Sequence, residues 1–156
     1  MKRLKLYLDT TVFGSLSDPE PSDERASTLY LFDAASYRNV ELFTSVVTLY
    51  DLEVLPPEVR AVAEARYGAL EGILEETKAS DLVADTLVAH GVFPWKQGLL
   101  ARHVGVAVAY HLDAVVSWDF HRMVNLRCRE GVRSVCSALG FKAPDLVSPE
   151  EAFHET

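Results

Sequence analysis

Apolar and polar positions alternate in blocks along the chain, and the blocks read as strands and helices in turn. Leu4-Lys5-Leu6-Tyr7-Leu8 is apolar-rich and partly alternating, which predicts a first strand that stops at Asp9-Thr10-Thr11. Asp18-Pro19-Glu20-Pro21 reads as a loop, and Ser22 caps a helix with Asp23 and Glu24 in its first turn. Ala26, Leu29, Tyr30, Ala34 and Tyr37 recur there at helical spacing. Val40–Ser45 predicts a second strand, followed by a short helix over Val47–Val54. Pro57 suits the first position of a helix whose apolar face runs Val59, Val62, Ala63, Leu70, Ile73 and Leu74. Ser80 caps another helix that ends at Gly91. Leu99–Leu112 is helical, with Gly105, Ala107 and Ala109 small enough for close packing. Ala114-Val115-Val116-Ser117-Trp118 reads as a central strand, Met123–Leu139 as a helix ended by Gly140, and Asp145-Leu146-Val147 as a last strand. Ser148-Pro149-Glu150-Glu151 starts a terminal helix. Strands alternating with helices predict one α/β domain over residues 1–156, three-layered, with a mainly parallel central sheet flanked by helices.

Composition narrows the class. The 156 residues are 49% hydrophobic and 24% charged, an ordinary globular balance. No apolar stretch approaches the roughly 18–20 residues that span a bilayer, and the basic start Met1–Lys5 meets Asp9 before a signal sequence can form. Cys128 and Cys136 lie eight apart in one helical segment and read as reduced thiols, which fits a cytoplasmic protein. The net charge of −8 argues against broad nucleic-acid binding. Its distribution is uneven: His121–Arg133 holds Arg122, Arg127, Arg129 and Arg133 against Glu130 alone. That stretch is either a local phosphate-binding surface or a solvated helix face. Glycine-rich phosphate loops and the GxSxG elbow are absent from the sequence. Trp95 and Trp118 read as core or interface, and Tyr30, Phe32 and Tyr37 as core or dimer surface.

The candidate chemistry lies at strand ends. In parallel sheets, sites form beyond the carboxyl ends of strands. Asp9 follows the first strand and Asp119 follows the Ala114–Trp118 strand. Two converging carboxylates repel unless a proton or cation lies between them, and hard oxygen ligands suit Mg²⁺ or Mn²⁺. The competing reading makes both aspartates turn or cap residues.

The same residues resemble a known family. Leu6-Tyr7-Leu8-Asp9-Thr10-Thr11-Val12-Phe13 resembles the opening of PIN domains, and Phe43–Glu53 their second motif. His103 with Ala107 and Ala109, then Leu112–His121, resemble the third and fourth motifs, and Ser148–Glu151 the usual ending. The resemblance implies a compact α/β fold and a Mg²⁺- or Mn²⁺-dependent endoribonuclease, in small members often the VapC-like toxin of a toxin–antitoxin pair. It implies metal binding by Asp9 and Asp119 with Asp51 assisting, and site hydroxyls from Thr10 or Thr11. RNA would be met by Arg122, Arg127 and Arg102. His103 either points into the site, to contact phosphate or cap a carboxylate, or packs in the helix interface. The partners implied are an antitoxin and a second copy of the chain. One departure stands out: the family's third acid falls on Leu100, three residues before His103. This supports an alternative, a degenerate PIN-fold protein that binds RNA or protein without cleavage. A phosphotransfer enzyme with Asp9 as nucleophile would want a second aspartate at Thr11.

Overall fold

Five strands make one sheet, ordered β3-β2-β1-β4-β5, and every pairing in it is parallel. The computed structural model describes residues 3–19, 22–36 and 38–155, the last three as backbone. The elements are β1 (Leu4–Leu8), α1 (Thr10–Ser15), α2 (Asp23–Ala35), β2 (Val40–Ser45), α3 (Val46–Glu53), α4 (Pro57–Glu64) and β3 (Gly72–Leu74). Then come α5 (Lys78–Ala89), α6 (Gly98–Ala109), β4 (Ala114–Val116), α7 (Leu126–Leu139), β5 (Asp145–Val147) and α8 (Pro149–Glu155). Tyr37 and the Glu20-Pro21 part of the predicted loop lie outside the described residues.

The period-2 alternation of strands explains the three layers. Tyr7 and Val115 point to one face, where they join Val83, Leu87, Val104, Val132 and Leu146. Leu6, Leu8, Ala114 and Val116 point to the other, with Val12, Phe13, Leu31, Phe32 and Ala152. Helices α5, α6 and α7 therefore cover one face, and α1, α2 and α8 the other. α5 and α6 pack very closely. A Cβ built on Gly105 would come within 2.4 Å of the Ser80 carbonyl oxygen, so only glycine fits there.

Two local expectations are corrected. The segment after Pro57 is not one helix through Leu74. α4 stops at Glu64, a 3₁₀ turn covers Tyr67–Ala69, and Gly72-Ile73-Leu74 forms edge strand β3 beside Phe43-Thr44-Ser45. Ladder bonds to β2 outweigh a weak helical pattern that Gly68 and Gly72 already interrupt. The second correction is helix α1, which Asp9 caps directly after β1. Smaller shifts occur elsewhere. Thr77 caps α5, with Ser80 as its capping-box partner, and α7 starts at Leu126 behind Asn125.

The strand order sets the position of the cleft. From β1 the chain winds outward to β2 and β3, then returns across β1 to β4 and β5. The direction reverses between β1 and β4, the place in parallel sheets where diverging connections favour a crevice at the carboxyl ends.

Candidate functional site

Asp9 and Asp119 come from the strands on either side of that reversal. The Asp9 N–H donates to the Val116 carbonyl at 3.2 Å, which stitches the end of β1 to the end of β4. The Asp9 side chain is buried and acts as N-cap of α1. Its Oδ1 accepts from the Thr11 N–H at 3.0 Å, the Thr11 hydroxyl at 2.6 Å and the Val12 N–H at 3.3 Å. Burial pushes its carboxyl up to about 6, and hydrogen bonds from Ser117, Thr11 and Val12 limit the rise. Asp9 thus sits at a strand end and serves as a helix cap, the competing of its two readings.

A hydroxyl bridge links Asp9 to the loop after β4. Thr11 Oγ1 accepts from the Trp118 N–H at 2.8 Å and lies 3.2 Å from Ser117 Oγ. Ser117 Oγ in turn accepts from the Asp119 N–H at 3.0 Å. Asp119 turns its carboxylate to Arg122: Oδ1 accepts from the Arg122 N–H at 2.8 Å and Oδ2 from its Nε at 2.7 Å. The cation predicted to steer RNA is therefore already paired with one of the predicted metal ligands, although its side chain remains 47% exposed.

His103 lies in the wall of the site, not on its surface. It is buried, with Nδ1 2.6 Å from the Tyr7 hydroxyl and Nε2 3.3 Å from Thr10 Oγ1. Tyr7 also lies 2.7 Å from Ser45 Oγ. Burial, assisted by the Arg102 charge, lowers the His103 pKa to about 3, so the ring is neutral. Burial likewise raises the Tyr7 hydroxyl above its ordinary value. One set of donors satisfies the chain: the Ser45 hydroxyl donates to Tyr7, Tyr7 donates to Nδ1, and Nε2–H donates to Thr10. His103 thus anchors α6 to β1 and to the first turn of α1, the packed role of its two expected readings, in place of a contact with substrate.

The remaining predicted residues are more dispersed. Asp51, on α3, is half-buried. It does not join Asp9 and Asp119 in a group that could hold a metal ion, and no other set of three His, Cys, Asp or Glu side chains does so among the described residues. Leu100 packs against the core that Tyr7 shares. Arg102 forms a two-pronged pair with Glu76, its Nε at 2.9 Å, and lies over the Tyr50 ring at 5.7 Å. Arg127 donates to the Val92 carbonyl at 3.4 Å. A divalent cation fits this donor set poorly. One Asp9 oxygen is saturated with donors, Asp119 is paired with Arg122, and Leu100 brings no oxygen where the resemblance expects a third acid.

Sequence reasoning missed the Tyr7–His103 pair and the loop Trp118–Asn125. The signal for the first was a tyrosine pointing to the opposite face from Leu6 and Leu8. Trp95, read as core or interface, is 76% exposed and so not core. Cys128 and Cys136 are free and buried. No described helix is long and apolar enough to cross a membrane.

No family model matches the chain, and no curated protein matches it. Among solved structures, the VapBC2 complex from Rickettsia felis, bound to a DNA fragment from their promoter, contains a similar chain. The TM-score is 0.58 at 12% identity, covering 93% of this chain and 98% of that one. The fold is PIN-like. At this identity the likeness carries the architecture alone, an all-parallel five-stranded sheet flanked by helices.

Proposed function

We propose that this chain is a PIN-fold, toxin-type protein that binds RNA at the β1–β4 strand ends without efficient cation-dependent cleavage. Its partner is a small antitoxin-like protein that covers this cleft. The state of the acidic site carries the reading. Asp9 is wrapped in hydrogen-bond donors, Asp119 is paired with Arg122, and Leu100 presents a hydrocarbon where the resemblance expects a carboxylate. The structural likeness to a chain of a VapBC2 complex supports a protein partner. Because the chain is acidic overall, RNA affinity is modest and falls steeply with salt.

A Mn²⁺ titration followed by thermal unfolding tests this, run beside Asp9→Asn and an RNA cleavage assay. The expected result is RNA binding at low salt, with no cation-dependent shift and no cleavage up to several millimolar Mn²⁺. A second reading, a Mg²⁺- or Mn²⁺-dependent endoribonuclease using Asp9, Asp119 and Asp51, is favoured by one observation. The Thr11 and Ser117 hydroxyls tie the Asp9 and Asp119 strand ends into one cluster. A Mn²⁺-induced shift that disappears in Asp9→Asn, with cleavage, would establish that reading instead. Sedimentation of the chain, alone and with its partner, tests the expected homodimer.

A further inference from the structure

The loop between β4 and α7 exposes an aromatic ring beside the strand ends. Phe120 is 50% exposed and Leu126, six residues on, is 65% exposed. A free loop would turn such a ring inward, since burying it is favourable. This loop is not free. The Phe120 N–H donates to the Trp118 carbonyl at 3.0 Å, and the Met123 and Val124 N–H groups both donate to the Asp119 carbonyl at 2.9 Å. The Asn125 amide donates to the Phe120 and His121 carbonyls at 3.1 and 3.0 Å. The ring is braced from behind by Trp118, edge to face at 6.2 Å between centroids and 64° between planes. Trp118 is fixed in turn by its Nε1–H, which donates to Thr28 Oγ1 at 2.8 Å. The outer face of Phe120 is thus held toward solvent by an ordered loop and a pinned second ring.

The charge around it is mixed but leans positive: Arg122 is paired with Asp119, Arg129 with Glu151 and Arg133 with Asp145, while Arg127 forms no ion pair among the described residues. His121, Arg122 and Arg127 are exposed on the same short loop and the first turn of α7, and the stretch to Arg133 carries four arginines against one glutamate. In a chain of net charge −8, Arg127 and the exposed part of Arg122 still set guanidinium groups in the same segment as a flat apolar face. That combination suits a nucleotide: a base stacks on the ring while its phosphate meets the guanidinium groups. An acidic protein segment would use the cations but gain little from a rigid, half-exposed ring.

Resting on the RNA-binding reading above, we infer that Phe120 is the stacking platform for one base of a single-stranded RNA, with Arg127 and the half-exposed Arg122 meeting the flanking phosphates. Stacking tolerates any base, because every base has a π-face, so the platform contributes affinity and position rather than sequence choice.

The test is fluorescence anisotropy of a short labelled single-stranded oligoribonucleotide of mixed sequence at low salt, with the intact chain and with Phe120→Ala, Phe120→Leu and Phe120→Trp. Phe120→Ala and Phe120→Leu should weaken binding about fivefold or more, while Phe120→Trp holds or tightens it. A second readout uses Trp95→Phe, which leaves Trp118 as the sole tryptophan. Added oligoribonucleotide should change Trp118 emission when Phe120 is present and not in the Phe120→Ala background. If the starting chain binds RNA and Phe120→Ala binds equally well, the platform is wrong and the RNA reading stands. Equal binding by Phe120→Leu also overturns it, because a merely apolar contact would then suffice. If the starting chain binds no RNA at low salt, the RNA reading fails and the platform fails with it.

Discussion

Replacing Asp9 by asparagine should stabilise the chain above pH 6 and leave it nearly unchanged near pH 4. The carboxyl is buried, and burial raises it from 3.8 to about 6. The folded state therefore holds the proton more tightly than the unfolded state. Stability from this group is fully present below pH 3.8 and is lost as pH rises toward 6. Two pH units at about 1.36 kcal/mol each make the ionised Asp9 cost about 3 kcal/mol at neutral pH. Asparagine keeps an oxygen for Thr11 N–H, the Thr11 hydroxyl and Val12 N–H without the buried charge. At about 2–4 °C per kcal/mol, the variant should melt roughly 6–12 °C higher at pH 7.5. The assay is thermal unfolding by circular dichroism at pH 4, 5.5 and 7.5 at constant ionic strength, read as the difference between the two chains. The difference should grow with pH. An equal difference at pH 4 and 7.5, or a lower melting point for Asp9→Asn at pH 7.5, refutes the reasoning.

Four further perturbations probe the wall of the site and the helix packing behind it. Tyr7→Phe removes the hydroxyl between Ser45 and His103 and leaves buried partners unsatisfied, so calorimetry should show a loss of about 1–3 kcal/mol; an unchanged midpoint would mean that the hydroxyl bonds add nothing. Gly105→Ala drives a methyl into the Ser80 carbonyl and should cost about 1–3 kcal/mol in denaturant unfolding. Gly131→Ala meets the Val92 side chain, both methyls at 2.8 Å and Cβ at 3.3 Å, and no backbone atom, so it should cost less than Gly105→Ala, and the reverse order would contradict the packing. Leu100→Asp should lower the melting point in the absence of cations and confer a Mn²⁺-dependent rise absent from the starting chain, worth about 2.7 kcal/mol at a hundredfold excess over the dissociation constant. No cation response in that variant would place residue 100 away from the Asp9–Asp119 pair.

Much of this architecture was legible in the sequence because its longer elements carry strong, consistent patterns. β1, β2 and α7 combine apolar periodicity with clear stop signals, and the alternation of strand and helix dictated a parallel sheet. β3 was not legible. Three residues carry too little pattern to outvote an apparent helical stripe, and only pairing with Phe43–Ser45 decides their state. That Asp9 and Asp119 would sit at neighbouring strand ends was legible because strand-end acids have a fixed place in such folds. The pairing of Asp119 with Arg122 depends on a side-chain rotamer within a loop, which no spacing argument reaches. His103 was visible as a histidine on the cleft helix. That it turns inward depends on Tyr7, ninety-six residues earlier in the chain.

The central place of β1 also governs how the chain comes together during synthesis. β1 finds its first neighbour within about forty residues, Leu4 opposite Val40. Its second neighbour arrives only when Ala114 can pair with Leu6. Until then Leu6-Tyr7-Leu8 presents an open, apolar edge, the kind of surface that recruits other chains. The crevice at Asp9 has one wall until β4 docks, because Thr11 must reach Trp118 to close it. The strand-end site is therefore completed late, after residue 119 has emerged, and a nascent chain stalled before Ala114 carries an aggregation hazard in its place.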